Sequence, residues 1–118
     1  MKTLTWLADS RTNGRSFPPN VRDGIGYALY LAQMGEMSAT SKPLHGFGGG
    51  VMETAVNDAS GAYRAVYTVS IGDSIYVVHA FQKKSKTGIE TPRTEIELVR
   101  QRLKRLRREV KSAEAKKS

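Results

Sequence analysis

Alternation between hydrophobic and polar positions is strongest just after the midpoint of the chain. From Ala62 to Ile71, every second residue is Tyr, Ala, Val or Ile, and Arg64 lies among the intervening positions. A period of two is typical of a β-strand with one buried face. A second run, Ser74 to Phe81, is rich in Ile, Val, Tyr and Phe, and Gly72-Asp73 between the runs indicates a hairpin. The pattern therefore predicts two antiparallel strands, with Arg64 opposite the tyrosines.

Two other stretches have the spacing of helices. After Phe17-Pro18-Pro19-Asn20, apolar residues recur at intervals of three and four as far as Gly35, which is expected to close the helix. From about Thr94, a second apolar stripe follows the same steps: Ile96, Val99, Leu103, Leu106 and Val110. Residues 3–7 and 51–57 are predicted to be strands. Residues 9–16 and 38–50 are expected to be irregular. The glycines at 46–50 lack the Lys-Ser/Thr ending of a phosphate loop, so they are interpreted as a connection into the next strand.

The predicted elements occur in the order β-α-β-β-β-α, which defines an α+β fold. We expect an antiparallel sheet with helices packed on one face. At 118 residues the chain is long enough for one domain with a modest core. Residues 1–118 are therefore predicted to form a single domain with a basic C-terminal helix and tail, from about residue 94 to 118.

Composition excludes several classes of protein. The chain has no cysteine, so it has no disulfide framework and no cysteine-ligated metal, and its two histidines are too few for a histidine-rich site. No run is apolar enough to span a bilayer, and the first residues lack the apolar region of a signal peptide. We therefore expect a cytoplasmic protein with no metal, no cofactor and no membrane partner.

The net charge of +8 is concentrated at the C-terminus. Residues 100–118 carry nine Lys/Arg and two Glu, whereas the other 99 residues have a net charge of only +1. Basic tails favour nucleic acid or an acidic protein partner, and charge alone does not choose between them. A solvated basic helix is equally ordinary. The residues expected to contact nucleic acid are Lys86, Arg93, Arg100, Lys104, Arg107 and Arg108.

A second cationic group lies where the second strand of the hairpin ends. Lys83, Lys84 and Lys86 follow that strand, and Arg64 belongs to its neighbour. Arginine grips a phosphate bidentately and lysine supplies point charge, so these residues suit a scissile phosphate. The alternative is a solvated turn whose lysines discourage strand addition. His79 is a candidate for proton transfer, but it shares strand parity with apolar positions, which favours a packed histidine.

Several segments together resemble the RelE/HigB-like toxins of bacterial type II toxin–antitoxin systems, in particular the branch of phage-derived proteins. The resemblance covers roughly residues 4 to 107, in the family's order. Its motifs are Trp6-Leu7-Ala8-Asp9-Ser10-Arg11, Phe17-Pro18-x-x-Val21-Arg22-x-x-Ile25-Gly26, Lys42-Pro43-Leu44-x-Gly46 before Gly50-Val51-Met52-Glu53, Tyr63-Arg64-Ala65-Val66-Tyr67, Ile75 to Ser85 and Thr91-Pro92-x-x-Glu95-Ile96.

The resemblance implies a ribosome-dependent, metal-independent endoribonuclease that cuts mRNA by attack of a ribose 2′-hydroxyl on the adjacent phosphate. It implies a cognate antitoxin, usually of the helix-turn-helix type, through which any contact with operator DNA is indirect. The implied catalytic positions are Arg64, Lys83 and Lys84, with His79 a weaker match. Two alternatives stay open: a non-catalytic nucleic-acid-binding module, and a degenerate toxin that serves only as antitoxin partner and co-repressor.

Overall fold

The computed structural model describes residues 1–83 and 91–117, which contain five strands and three helices. In chain order they are β1 (Thr3–Trp6), α1 (Ser10–Arg15), α2 (Pro19–Gln33), β2 (Ser41–Pro43), β3 (Val51–Asp58), β4 (Gly61–Thr68), β5 (Ser74–Lys83) and α3 (Arg93–Lys117). The strands form one sheet in the order β1-β5-β4-β3-β2. The predicted α+β class is confirmed, while the predicted order lacks α1 and β2.

The sheet is mixed, so the expectation of an antiparallel sheet is wrong at one edge. β1 runs parallel to β5, with Thr3 opposite Ser74, and the other neighbours are antiparallel. A parallel pair needs a long crossover connection, and here α1, α2 and the other strands lie between β1 and β5 in the chain. The connection between β4 and β5 is residues 69–73 rather than a Gly-Asp pair alone.

Helices cover both faces of the sheet, which corrects the prediction of helices on one face. Val21, Ile25 and Leu29 of α2 pack with Tyr63 and Tyr67 on one side. On the other side, residues of α3 form a second core with three strand residues: Val99 and Leu103 with Val66, Val78 and Phe81. The prediction failed because the face of β4 that carries Arg64 also buries Val66 and Thr68 completely.

Two short elements depend on contacts from distant parts of the chain. Helix α1 has a polar sequence, and the Ser10 and Asn13 side chains anchor it by donating to the carbonyls of Val77 at 3.1 Å and Ala80 at 3.0 Å. Strand β2 pairs with the outer edge of β3. The buried Tyr67 hydroxyl donates to Ser41 Oγ at 2.9 Å beside it, and burial raises the pKa of Tyr67.

An irregularity in β5 decides which way His79 points. Val66 lies opposite His79 but Tyr67 lies opposite Val77, so Val78 is an extra residue. A bulge of this kind exchanges the faces of the residues that follow it. Val77 therefore packs toward α2, whereas Val78 and His79 both meet α3.

The glycine-rich connection before β3 is structural. Gly50 has a φ of +77°, and a Cβ there would lie 2.0 Å from Ser70 Oγ, so no other residue fits. The neighbouring Phe47 is buried in the core under α3, and its carbonyl accepts a hydrogen bond from Arg107. These contacts agree with the interpretation of residues 46–50 as a connection.

Candidate active site

Three of the four predicted catalytic residues lie on the sheet face covered by α3. Across β4 and β5, Arg64 is opposite Phe81, Ala62 is opposite Lys83 and Val66 is opposite His79. Arg64 and Lys83 are thus diagonal cross-strand neighbours, a relation that places Cα atoms about 7–8 Å apart. The predicted Lys84 and Lys86 lie outside the described residues.

Arg64 is held by a carboxylate that sequence reasoning did not single out. Its Nε lies 3.7 Å from Glu53 Oε1, and its side chain is 13% exposed. Nη1 donates to Asn57 Oδ1 at 3.3 Å and to the Tyr63 carbonyl at 3.2 Å. These contacts fix the guanidinium at the end of the sheet. Both of these hydrogen bonds use Nη1, and no hydrogen bond of Nη2 is found within residues 1–83 and 91–117.

Glu53 is a buried carboxylate in the middle of the sheet. It is 2% exposed, and its Oε2 accepts a hydrogen bond from the Thr91 hydroxyl at 2.9 Å. Thr91 lies two residues before Arg93, the first residue of α3, so the segment that leads into this helix contacts Glu53. A carboxylate in this position can accept a proton from a substrate hydroxyl once its hydrogen bond with Thr91 is broken.

Lys83 is the last residue of β5 and is only 6% exposed. Long lysine side chains are seldom buried unless their charge is satisfied. Lys83 and Arg64 thus place two cationic side chains at one corner of the sheet. The segment that contains Lys84 and Lys86 follows Lys83 directly in the chain.

His79 belongs to a polar network that fastens α3 to the sheet. Its Nε2 contacts Glu95 Oε2, and Arg102 Nη1 lies 2.9 Å from its Nδ1. Because arginine only donates, Nδ1 accepts and Nε2 carries the proton that is donated to Glu95. Both ring nitrogens are thus occupied, and the residue is 3% exposed. The prediction of a packed histidine is confirmed, and this geometry favours a positioning role over proton transfer.

Arg102 extends the same network to a third element. Its Nη1 also donates to the Val78 carbonyl at 3.1 Å, and its Nη2 pairs with Asp9 Oδ1 at 2.8 Å, just before α1. The side chain is 16% exposed. One guanidinium therefore joins α3, β5 and the segment between β1 and α1.

The other predicted nucleic-acid contacts form the outer surface of α3. The five described residues are all exposed: Arg93, Arg100, Lys104, Arg107 and Arg108. Arg100 also lies 5.1 Å from the centre of the Phe47 ring. Four of the five recur at helical intervals of three or four, so they present one basic surface. Whether this surface meets nucleic acid stays a prediction.

Three candidate functional residues were not predicted as site residues from the sequence: Glu53, Glu95 and Arg102. A signal existed for two of them. Glu53 is the carboxylate inside β3, whose other acidic residue, Asp58, ends the strand, and Glu95 belongs to the Thr-Pro-x-x-Glu-Ile motif. Arg102 is one of many basic residues in α3, and only the tertiary contact distinguishes it.

Neither a metal site nor a membrane span emerges from the part of the chain that is described. Residues 1–83 and 91–117 contain no group of three or more His, Asp or Glu side chains arranged to hold a metal ion. The described helices are each too short or too polar to cross a bilayer.

Comparison with known proteins identifies the family. Residues 15–104 match the family described as "Phage derived protein Gp49-like (DUF891)", and the chain belongs to this family. Its fold is similar to that of the isolated E. coli RelE toxin, with a TM-score of 0.52 at 18% identity over 86% of this chain and 98% of that chain. No curated protein matches the sequence significantly. The predicted resemblance to the phage-derived branch and to the RelE-like fold is confirmed.

Proposed function

We propose that this protein is the toxin of a type II toxin–antitoxin pair and cleaves mRNA in the decoding site of the ribosome. Membership of the Gp49-like family and the RelE-like fold support the toxin class. The observation that carries the enzymatic part is the corner of the sheet where Arg64 and Lys83 are diagonal neighbours and Glu53 is bound to Arg64.

The proposed reaction needs a proton acceptor, cationic stabilisation and a proton donor. Arg64 binds the scissile phosphate through its guanidinium, and Lys83 or Lys84 stabilises the charge that develops on it. Glu53 takes the proton of the 2′-hydroxyl as its oxygen attacks phosphorus. The bond to the 5′-oxygen breaks, that oxygen takes a proton from the other lysine, and a 2′,3′-cyclic phosphate remains. His79 is the alternative proton-transfer group.

The proposed partners follow from the same class of protein. The ribosome and mRNA are the target in the cytoplasm, and a helix-turn-helix antitoxin encoded beside the toxin neutralises it. Operator DNA is reached only through that antitoxin. The basic outer surface of α3 suits either an RNA backbone or an acidic antitoxin segment, because both supply the missing negative charge.

Induced expression tests the proposal. The wild-type chain should arrest growth and produce new 5′ ends within translated messages, and co-expression of the neighbouring open reading frame should restore growth. Arg64→Ala should abolish both effects. The matched control is Arg105→Ala, because Arg105 is an exposed arginine of α3 that pairs only with Glu109 among the described residues. Unchanged messages with the wild-type chain, or full toxicity of Arg64→Ala, would contradict the proposal.

A degenerate toxin is the second candidate, and one observation favours it. Two of the predicted catalytic residues already have partners: Arg64 is paired with Glu53, and His79 is held between Glu95 and Arg102. Such pairing is also what a purely structural network would show. A chain that binds its antitoxin tightly, yet causes no growth arrest and no new mRNA ends, would establish this alternative.

A further inference from the structure

A cleft that the proposed reaction does not use lies between α1 and the first half of α2. It has a volume of about 250 Å³ and is lined by Trp6 and Ile25 together with three arginines, Arg11, Arg15 and Arg22. Trp6 and Ile25 pack on the core beneath α2, on the sheet face opposite α3. The cleft is therefore separate from the corner that carries Arg64.

The charge at the cleft is uncompensated. All three arginines are exposed, and within residues 1–83 and 91–117 none of them forms an ion pair. Arg11 and Arg15 are one helical turn apart and lie on the same side of α1. None of the described residues that line the cleft is a carboxylate. Three guanidinium groups gathered without a counter-charge favour an anionic ligand.

Two glycines shape the cleft. A Cβ at Gly14 would lie 3.6 Å from the Trp6 ring, so this glycine lets α1 lie close over the indole. A Cβ at Gly26 would meet nothing within 4 Å, so that side of the cleft is open. The partly exposed ring therefore stands at the base of an accessible, positively charged opening.

We propose that this cleft binds single-stranded RNA, with a base against Trp6 and phosphates held by Arg11, Arg15 and Arg22. An aromatic ring stacks with any base, and such stacking contributes about 1–3 kcal/mol per base. Arginine suits phosphate because its planar fork binds two oxygens at once. The expected ligand therefore carries both a negative charge and a flat ring. A nucleotide has both.

The relation between the cleft and the candidate active site favours RNA over an acidic protein segment. On its other side, α1 contributes Asn13 and Ser16 to a second groove of about 430 Å³. This groove also contains Gln82, which precedes Lys83 in β5, and Glu95, whose carboxylate contacts His79. An RNA strand bound at Lys83 can follow this groove to α1 and reach the arginines. The identity of the ligand rests on the proposed ribonuclease function.

The single tryptophan makes the test direct. Trp6 is the only tryptophan in the chain, so its fluorescence reports on this cleft. The probe is a 2′-O-methyl RNA oligonucleotide, which cannot be cleaved by 2′-hydroxyl attack. Binding should change the Trp6 fluorescence, and the triple variant Arg11→Gln/Arg15→Gln/Arg22→Gln should lose the change. If each arginine meets one phosphate, the slope of log affinity against log salt should fall by about 2 in magnitude, since each single-strand contact contributes about 0.7.

Controls separate this inference from the proposed function. Arg105→Gln removes one charge from α3 and should keep the Trp6 response. Arg64→Ala should also keep the response while losing cleavage, whereas the triple variant should raise KM at least tenfold with kcat within threefold of wild type. The inference is overturned if RNA leaves Trp6 fluorescence unchanged, or if an oligoglutamate peptide of equal charge gives the same response at the same affinity. Neither result bears on the ribonuclease activity, which the cleavage assay tests separately.

Discussion

Replacing Arg102 with methionine should destabilise the protein by about 3 kcal/mol. Two hydrogen bonds disappear, to the Val78 carbonyl and to His79 Nδ1, and both acceptors are in buried residues. A hydrogen bond involving a charged group contributes about 1.5–3 kcal/mol, and such values are not additive within one network. The pair with Asp9 adds at most about 1 kcal/mol because that side chain is 56% exposed. Methionine keeps the apolar stem of the side chain in place.

Guanidinium unfolding followed by Trp6 fluorescence measures this change. The control is Arg105→Met, because the Arg105–Glu109 pair is exposed and one helical turn long, so its loss should cost no more than about 0.5 kcal/mol. A loss below about 1 kcal/mol for Arg102→Met, or one equal to the control, would refute the reasoning. Such a result would mean that the apolar stripe alone holds α3 on the sheet.

Three further predictions concern His79, Gly26 and the end of α3. His79→Gln should keep single-turnover cleavage within tenfold of wild type, because glutamine can still donate to Glu95 and accept from Arg102; a loss above a hundredfold would assign proton transfer to His79. Gly26→Ala should raise the free energy of unfolding by about 0.5–1 kcal/mol, since the site is helical and open; lower stability in a chemical melt would contradict this. Truncation after Leu106, the last of the described residues of α3 that is buried, removes five Lys/Arg and two Glu, so RNA binding should depend less steeply on salt; an identical slope for both chains would mean that this segment is not in contact with RNA.

Long, strongly patterned segments were predictable from the sequence. In α2 and α3 the apolar residues recur every three or four positions over several turns, and β3, β4 and β5 are rich in residues that favour strands. Helix α1 was not predictable because its six residues have no apolar periodicity and its anchoring partners, Val77 and Ala80, are more than sixty positions away. The second helix-covered face was missed because Arg64, Thr68 and Ser70 made that side of β4 look solvated.

The candidate site was predictable only in part. Arg64 and Lys83 were predicted because the strand pattern and the family motifs both include them, and the structure places them as diagonal cross-strand neighbours. Their catalytic role stays a prediction. Strand parity grouped His79 with Ile75 and Val77, but the bulge at Val78, which alternation alone does not reveal, places it on the face covered by α3. The pairing of Glu53 with Arg64 depends on the register of β3 against β4, which local pattern does not specify.

The central claim is that Arg64 and its neighbours promote attack by the ribose 2′-hydroxyl. Ribosomes programmed with a labelled mRNA test it in a single-turnover assay, using two messages that differ only by a 2′-deoxy substitution at the nucleotide before the cleaved bond. The normal message should be cut to a 2′,3′-cyclic phosphate, and the substituted message should stay intact at that bond. Equal cleavage of both messages would contradict it.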